Sequence, residues 1–191
     1  MKKLVLTLVV GIATLVYAYA QNVNNEVKVK VNLELNPFQS ITIGSGATPN
    51  GNYGDQVTLR YSNAEDYRNG VEQTVLNQLL VSSVGSGFNI SATFKSSGNA
   101  TTTFIPGTNA GTEPINIADI LDIKVDNLSG NGTPLNYRFD GATPVSSIID
   151  RSLAVKYIGK AITSQTMLGK LFASNSQANY SVDVIYTIAA N

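Results

Sequence analysis

The sequence predicts an all-β protein, an Ig-like or related β-sandwich of about 8–10 short strands, preceded by a signal-peptide helix. Two observations carry this prediction. Apolar and polar residues alternate along many short runs, which is the period of a strand with one buried face. Clusters of Gly, Pro, Asn, Ser and Thr separate these runs, and such clusters form turns.

The N-terminus is typical of a cleavable export signal. Two lysines follow the initiating methionine, an apolar run comes next, and the run ends in an A-x-A cleavage site at Ala18 and Ala20. We expect cleavage to remove residues 1–20 and to leave residues 21–191 as a single β-sandwich domain without a membrane span. The alternative is an uncleaved anchor, because the apolar stretch reaches the lower limit of spanning length. Cleavage predicts a protein that is secreted, periplasmic or on the cell surface.

The first predicted strand of the mature chain lies at residues 27–35. Apolar side chains there occupy every second position, with lysine, asparagine or glutamate between them. The pattern predicts a strand with one buried face, and its apolar residues are Val27, Val29, Val31, Leu33 and Leu35.

Further strands are predicted along the rest of the chain, separated by turn-forming clusters. In order they are Phe38–Ile43, Val57–Tyr61, Leu79–Ser83, Phe88–Phe94, Thr101–Ile105, Ile115–Val125 with a possible break, Leu135–Phe139 and Leu153–Ile158. Residues 63–67 and 165–172 are candidates for short helices, and residues 71–78 fit a strand or a helix. We expect little helix in the mature domain.

The last predicted strand repeats the pattern of the first. Its alternating apolar residues are Tyr180, Val182, Val184, Tyr186 and Ile188. Two such strands at the ends of a chain suit strand exchange, in which a segment of one molecule completes the sheet of another. The alternative is that both strands pair within their own sandwich.

The composition excludes several classes of function. The chain contains neither cysteine nor histidine, so it lacks disulfides, the commonest zinc ligands and the usual nucleophile and base pairs. Once the two lysines of the signal leave, eleven basic residues face thirteen acidic ones, a net charge of −2. This balance provides no basic surface for nucleic acid. We therefore predict a protein that is not an enzyme, with no catalytic residues, no metal site and no cofactor.

Carboxylates and tyrosines are the remaining candidates for chemistry. Asp119, Asp122 and Asp126 cluster without the spacing of a calcium loop, and Glu65 and Asp66 are adjacent in sequence, so both sets are expected on solvated surface. Tyrosines can stack on sugars, although most tyrosines in strands belong to the core or to half-buried sheet surface. The candidates are Tyr53, Tyr61, Tyr67, Tyr137, Tyr157, Tyr180 and Tyr186.

Three stretches carry a resemblance to known proteins. They are the export signal ending in Ala20 and Gln21, the run VTLRYSNAEDYRNGV at 57–71, and the closing run YSVDVIYTI at 180–188. In these the chain resembles small secreted β-sandwich proteins of Bacteroidetes. More distantly, its all-β layout and terminal strand are similar to fimbrial and spore-coat-U-like subunits of chaperone–usher systems. The distant resemblance implies a surface subunit that assembles through its end strands.

These observations lead to two functional hypotheses. The first is an exported, non-enzymatic subunit of a surface fibre or extracellular matrix, or an adhesin, whose partners are other copies of itself or other surface subunits. The alternative is a monomeric carbohydrate-binding module that takes a glycan. A carboxylate-dependent hydrolase is a third and weaker hypothesis.

Overall fold

The computed structural model describes residues 27–44, 56–126, 129–133, 136–140 and 147–190. The predicted signal peptide lies outside the described residues. The chain divides into two compact units, residues 1–35 and residues 36–191. The predicted boundary at residue 21 stays a prediction.

The described part of residues 36–191 is mostly β, as predicted, and contains three short helices. The strands are β1 (Phe38–Ile43), β2 (Val71–Val84), β3 (Phe88–Ser96), β4 (Asn99–Ala100), β5 (Ile105–Pro106), β6 (Leu121–Val125), β7 (Ser129–Thr133), β8 (Asn136–Asp140), β9 (Ile148–Gly159), β10 (Tyr180–Ser181) and β11 (Asp183–Ala190). The helices are α1 (Ala64–Asn69), α2 (Ile117–Ile120) and α3 (Gln165–Leu171).

Two antiparallel sheets form the body of this unit. The first sheet has the order β1-β2-β9-β6, and the second has the order β11-β3-β8-β7 with β4 beside β3. A separate pair joins β10 to β5. Among the described strands, β1 and β6 are therefore the edges of the first sheet, and β11 is an edge of the second.

The core lies between the two sheets. Strand β3 places every second residue in it, so that Phe88, Ile90, Ala92 and Phe94 are at most 1% exposed. Alternate residues of β2, β6 and β9 meet them from the first sheet, among them Val81, which is fully buried. Period-two burial of this kind is what the alternating sequence predicts.

A second, smaller apolar cluster lies beside α3. It centres on Ile115, Ile162 and Leu171, which are at most 6% exposed. Tyr61 and Tyr67 are among the partly buried residues that pack against it. The cluster therefore holds the loop at 57–61 and helix α1 to the segment that contains α3.

Strand β2 contains a bulge that explains its mixed pattern. Three residues, 76–78, lie between the paired positions Val75 and Leu79, whereas its partner β9 has one residue at this point. Asn77 has a positive φ of 55° there, and its side-chain oxygen accepts a hydrogen bond from the Ser152 hydroxyl at 2.8 Å. Gly44 lies against the bulge, where any Cβ would overlap the Asn77 carbonyl oxygen. Despite the irregular spacing of its apolar residues, the ambiguous segment at 71–78 is strand.

Several predicted strands differ from the structure. The predicted strand at 115–125 is strand only at Leu121–Val125, because Ile117–Ile120 form helix α2. Residues 57–61 are not a strand, although Val57 and Leu59 pack against the core from a loop. Residues 101–105 form only a bridge from Thr103 to Asn116 and the start of β5. An alternating sequence pattern indicates that one side of a segment is buried. A loop that lies along the core can have this pattern without pairing as a strand.

The N-terminal segment, residues 27–35, differs most from its prediction. It contains no strand residue, and no described strand pairs with it. Its five apolar side chains are 75–89% exposed. For the described part of the chain, a strand whose apolar face is buried within its own chain is therefore wrong, because a strand needs a hydrogen-bonded neighbour and a surface to cover. None of the helices in the described residues has the length and apolarity that crossing a membrane requires.

Candidate functional site

The N-terminal segment presents an unusual apolar surface. Single exposed apolar residues are ordinary in soluble proteins, but a contiguous series of them marks an interaction site or a liability. They share one side of a period-two pattern, which is the arrangement that a strand presents to a core. The five here are Val27 (89% exposed), Val29 (75%), Val31 (85%), Leu33 (82%) and Leu35 (80%).

Strand β11 is a sheet edge with the same pattern. Among the described strands it pairs only with β3, in a register that sets Val184 opposite Phe94, Tyr186 opposite Ala92 and Ile188 opposite Ile90. These three residues of β11 point inward and pack against the core, yet each keeps part of its surface exposed, whereas their partners on β3 are buried. The core therefore remains partly open along β11.

Strand β1 continues this opening in the first sheet. It lies beside β11, with Cα atoms of the two strands within 8 Å. Ile41 and Ile43 stand opposite Val81 and Leu79 of β2 and so face inward, but Ile43 is 52% exposed and Ile41 is half-buried. We call the inward-facing residues of β1 and β11 the open edge, and they are Ile41, Ile43, Val184, Tyr186 and Ile188.

The opposite edge of the first sheet shows what a closed edge looks like. The inward residues of β6 are Leu121, Ile123 and Val125, which are 7%, 2% and 0% exposed. Like β1, β6 has one hydrogen-bonded neighbour among the described strands. Exposure at the open edge is thus a property of that side of the sandwich and not of edge strands in general.

A pair of tyrosines holds β11 to the first sheet. The hydroxyl groups of Tyr157 on β9 and Tyr186 on β11 lie 2.9 Å apart across the core. Burial raises the pKa of Tyr186 well above 10, and the neighbouring Tyr157 raises it further. Burial also raises the pKa of Tyr157, while hydrogen bonds to Tyr186 and Gln78 lower it in part. Both phenols stay neutral at physiological pH and join the two sheets.

The start of β1 is anchored at the turn between β2 and β3. Pro37 sits against Gly85, where an added Cβ would come within 2.8 Å of the proline Cβ. The Gln39 amide donates to the Ser86 hydroxyl at 3.2 Å and to the Gly87 carbonyl at 3.4 Å. Strand β1 therefore begins at a fixed point of the sandwich.

The tyrosines considered as sugar platforms have structural partners. The Tyr61 hydroxyl donates to the Lys160 carbonyl at 2.7 Å, and burial, with a smaller contribution from Tyr67, raises its pKa to about 12. The Tyr180 hydroxyl donates to the Leu171 carbonyl and accepts from the Gly111 amide, both at 2.9 Å. Tyr61, Tyr67 and Tyr180 pack on the small cluster. Tyr53 and the side chain of Tyr137 lie outside the described part of the chain.

The carboxylates have local roles. Asp66 accepts hydrogen bonds from the backbone amides of Ser62 and Asn63, while the Asn63 side chain caps α1. Asp122 accepts from the amide of Ile123. Within the described residues no group of three acidic side chains is placed to hold a metal ion.

The two terminal runs are visible in the sequence, but the two residues that β1 adds to the open edge are not recognisable there as a site. The sequence assigns Ile41 and Ile43 to a short strand without a role, because it does not tell which strand becomes an edge. The contact between Tyr157 and Tyr186 joins residues 29 positions apart and leaves no local signal.

Comparison with known proteins assigns no family. No protein-family model matches this chain, and no curated protein matches it in sequence. The open edge and the N-terminal segment are therefore the features from which a function has to be argued.

Proposed function

We propose that the chain is an exported subunit of a surface fibre or extracellular matrix, and that the N-terminal segment joins copies of it as a donated strand. One observation carries this proposal: five apolar side chains with strand periodicity are 75–89% exposed at residues 27–35. A neighbour that covers them removes this apolar surface from water. The export signal predicted from residues 1–20 supports an extracellular place for it.

Covering the apolar side chains of the segment supplies the main favourable contribution to the free energy of assembly. Burying one Val or Leu side chain stabilises by roughly 1.5–3 kcal/mol. Ordering each backbone residue opposes this by about 1–2 kcal/mol, and main-chain hydrogen bonds to a sheet edge add to the favourable side. Each apolar residue removed from the segment therefore weakens the assembly directly.

The experiment compares two adjacent positions that differ only in the side of the strand they occupy. Purified chain covering residues 21–191 is examined by size-exclusion chromatography and negative-stain microscopy as wild type, Val31→Lys and Asn32→Lys. Each substitution adds one positive charge, but only Val31→Lys places it on the apolar side. We expect wild type and Asn32→Lys to form polymers and Val31→Lys to remain monomeric with an unchanged circular dichroism spectrum.

Two outcomes count against the proposal. A wild-type chain that is monomeric at all concentrations shows that the segment does not join copies. Equal assembly of all three proteins shows that the apolar side of the segment is not the joining surface.

A further inference from the structure

We infer that the acceptor of the N-terminal segment is the open edge of a second copy, where the segment pairs antiparallel with β11 and links the copies head to tail. This inference rests on the proposed function and adds the surface, the direction and the register. It concerns residues 27–35 of one copy and residues 36–191 of another.

Burial selects the open edge over β6. A donated strand gains most where it covers apolar surface that is still in contact with water. At the open edge five inward-facing residues keep exposed surface, including Ile43 at 52%. At the β6 edge the inward residues are at most 7% exposed, so an added strand would find almost nothing to cover. Main-chain hydrogen bonds are available at both edges, so they do not favour one edge over the other.

The two terminal runs match in length and pattern. Residues 27–35 and residues 180–188 are each nine long, with apolar side chains at the first, third, fifth, seventh and ninth positions. In a fully overlapped antiparallel register every apolar residue of the donor meets one of the acceptor, and three of the five pairs lie along β11. Val27 then lies opposite Ile188, Val29 opposite Tyr186, Val31 opposite Val184, Leu33 opposite Val182 and Leu35 opposite Tyr180.

The polar side of this register contains no like-charge pair. The two lysines of the segment face uncharged residues, and Asn32 faces Asp183. A shift by two residues in one direction would set Glu34 directly opposite Asp183, and like charges at that separation are destabilising. A shift by two in the other direction would set Leu35 opposite Ala178, outside the alternating run. Charge and apolar pattern therefore favour the same register.

Antiparallel pairing has two supports. Every pair among the described strands is antiparallel, and antiparallel pairs are slightly more stable for each residue than parallel ones.

The direction of pairing also determines how successive copies are arranged. The pairs Phe38 with Val84 and Ala190 with Phe88 place the start of β1 and the end of β11 at the same end of the sandwich.

The C-terminal end of an antiparallel donor segment therefore lies at the end of the acceptor sandwich that is opposite the acceptor's turn around Gly85. Its residue 35 lies near Tyr180 of the acceptor, whereas its own sandwich begins at the turn around Gly85. Opposite ends of successive copies thus come together. Such a contact joins two different surfaces, so it leads to a filament, or to a ring where the rotation between copies closes, instead of a two-fold dimer.

Cysteine cross-linking tests the acceptor, because the natural chain contains no cysteine and the background is zero. A Lys28→Cys chain is mixed with a Thr187→Cys chain, treated with a short thiol cross-linker and run on a denaturing gel. Two matched mixtures replace the second chain by Ser181→Cys or by Lys124→Cys on β6. Residues 181 and 187 are about 20 Å apart along a strand, so one short reagent distinguishes them.

We expect a cross-linked dimer with Thr187→Cys and at least tenfold less with the other two. A dimer with Ser181→Cys in its place overturns the antiparallel direction, and a dimer with Lys124→Cys overturns the open edge as acceptor. If polymers form but none of the three mixtures gives a cross-linked dimer, the open edge is not the acceptor, while the proposed function stands. A monomeric wild type overturns both.

Discussion

The N-terminal segment and the run at 180–188 carry the same pattern and have opposite surroundings. The apolar residues of the first are 75–89% exposed, whereas Val184, Tyr186 and Ile188 of the second pack against the core beside β3. Alternation specifies which side of a strand is to be buried, but not which molecule buries it. The difference between the two runs is therefore a difference of partner, and substitutions at matched positions can measure it.

The largest expected difference comes from placing a carboxylate in each run. Val184→Asp removes an apolar contact with the core and leaves a charge in a poorly solvated position. We expect it to lower the free energy of unfolding by about 2–4 kcal/mol. Val31→Asp, at an 85% exposed position, is expected to change that free energy by no more than about 0.5 kcal/mol in the monomer.

Urea unfolding of both monomers, followed by circular dichroism, measures the difference. Wild-type chain at the same low concentration is the control, since assembly would stabilise it. Equal destabilisation by the two substitutions would show that the N-terminal segment belongs to the core of its own chain.

A middle-sized effect is expected at the tyrosine pair that fixes β11. Tyr157→Phe leaves the Tyr186 hydroxyl without its 2.9 Å partner in the core, and Tyr186→Phe does the reverse. We expect each single substitution to lower the free energy of unfolding by about 1–3 kcal/mol. The double substitution should be less harmful than the sum, because it removes both polar groups.

A double-mutant cycle from four urea titrations gives the coupling energy. Tyr67→Phe serves as a control in the other apolar cluster. Additive losses would show that the two hydroxyl groups do not support each other.

The smallest effect on the free energy of unfolding is expected from raising the pH, and its sign follows from the raised pKa of Tyr186. A phenol whose folded pKa exceeds its unfolded value of about 10 contributes full stability below pH 10. That contribution is lost as the pH rises toward the folded pKa, because only the unfolded chain then releases the proton. At pH 11 we expect Tyr186 to account for a loss of up to about 1.4 kcal/mol.

Urea midpoints at about pH 9, 10 and 11 for wild type and Tyr186→Phe test this expectation, since they bracket the ordinary phenol pKa. The variant should show a shallower decline. The N-terminal segment contains no tyrosine, so the exposure of its residues should not respond to this titration. A decline that is identical in both proteins would contradict the assignment to Tyr186.

Much of the fold follows from local patterns in the sequence. Strict alternation locates the cores of β3 and β9, and the polar run at 63–67 corresponds to the capped helix α1. Each of these signals is contained in a few consecutive residues. The bulge in β2 is not predictable in this way. Its inserted residues interrupt the alternation of apolar and polar positions, and no other recognisable pattern takes its place.

The candidate site was predictable only in part, for a physical reason. The terminal runs are visible in the sequence, but an open edge is a property of a sheet. Whether Ile43 is covered depends on which strands lie beside β1, and that is decided by pairings up to about a hundred residues apart. Likewise, β6 and β11 alternate in the same way, yet the inward Ile123 is 2% exposed whereas the inward residues of β11 keep part of their surface in contact with water.

The pairing of β3 with β11 has a consequence for how the protein folds. Residues 88–95 pair with residues 183–190, so the second sheet cannot be completed until residues 183–190 are available for pairing. Contacts of such high sequence separation slow folding. Until then one main-chain edge of β3 is unpaired and its Phe and Ile side chains are incompletely covered, which is an aggregation hazard. Substitutions that speed the closure of β11 should therefore raise the yield of folded protein more than those that strengthen the finished core.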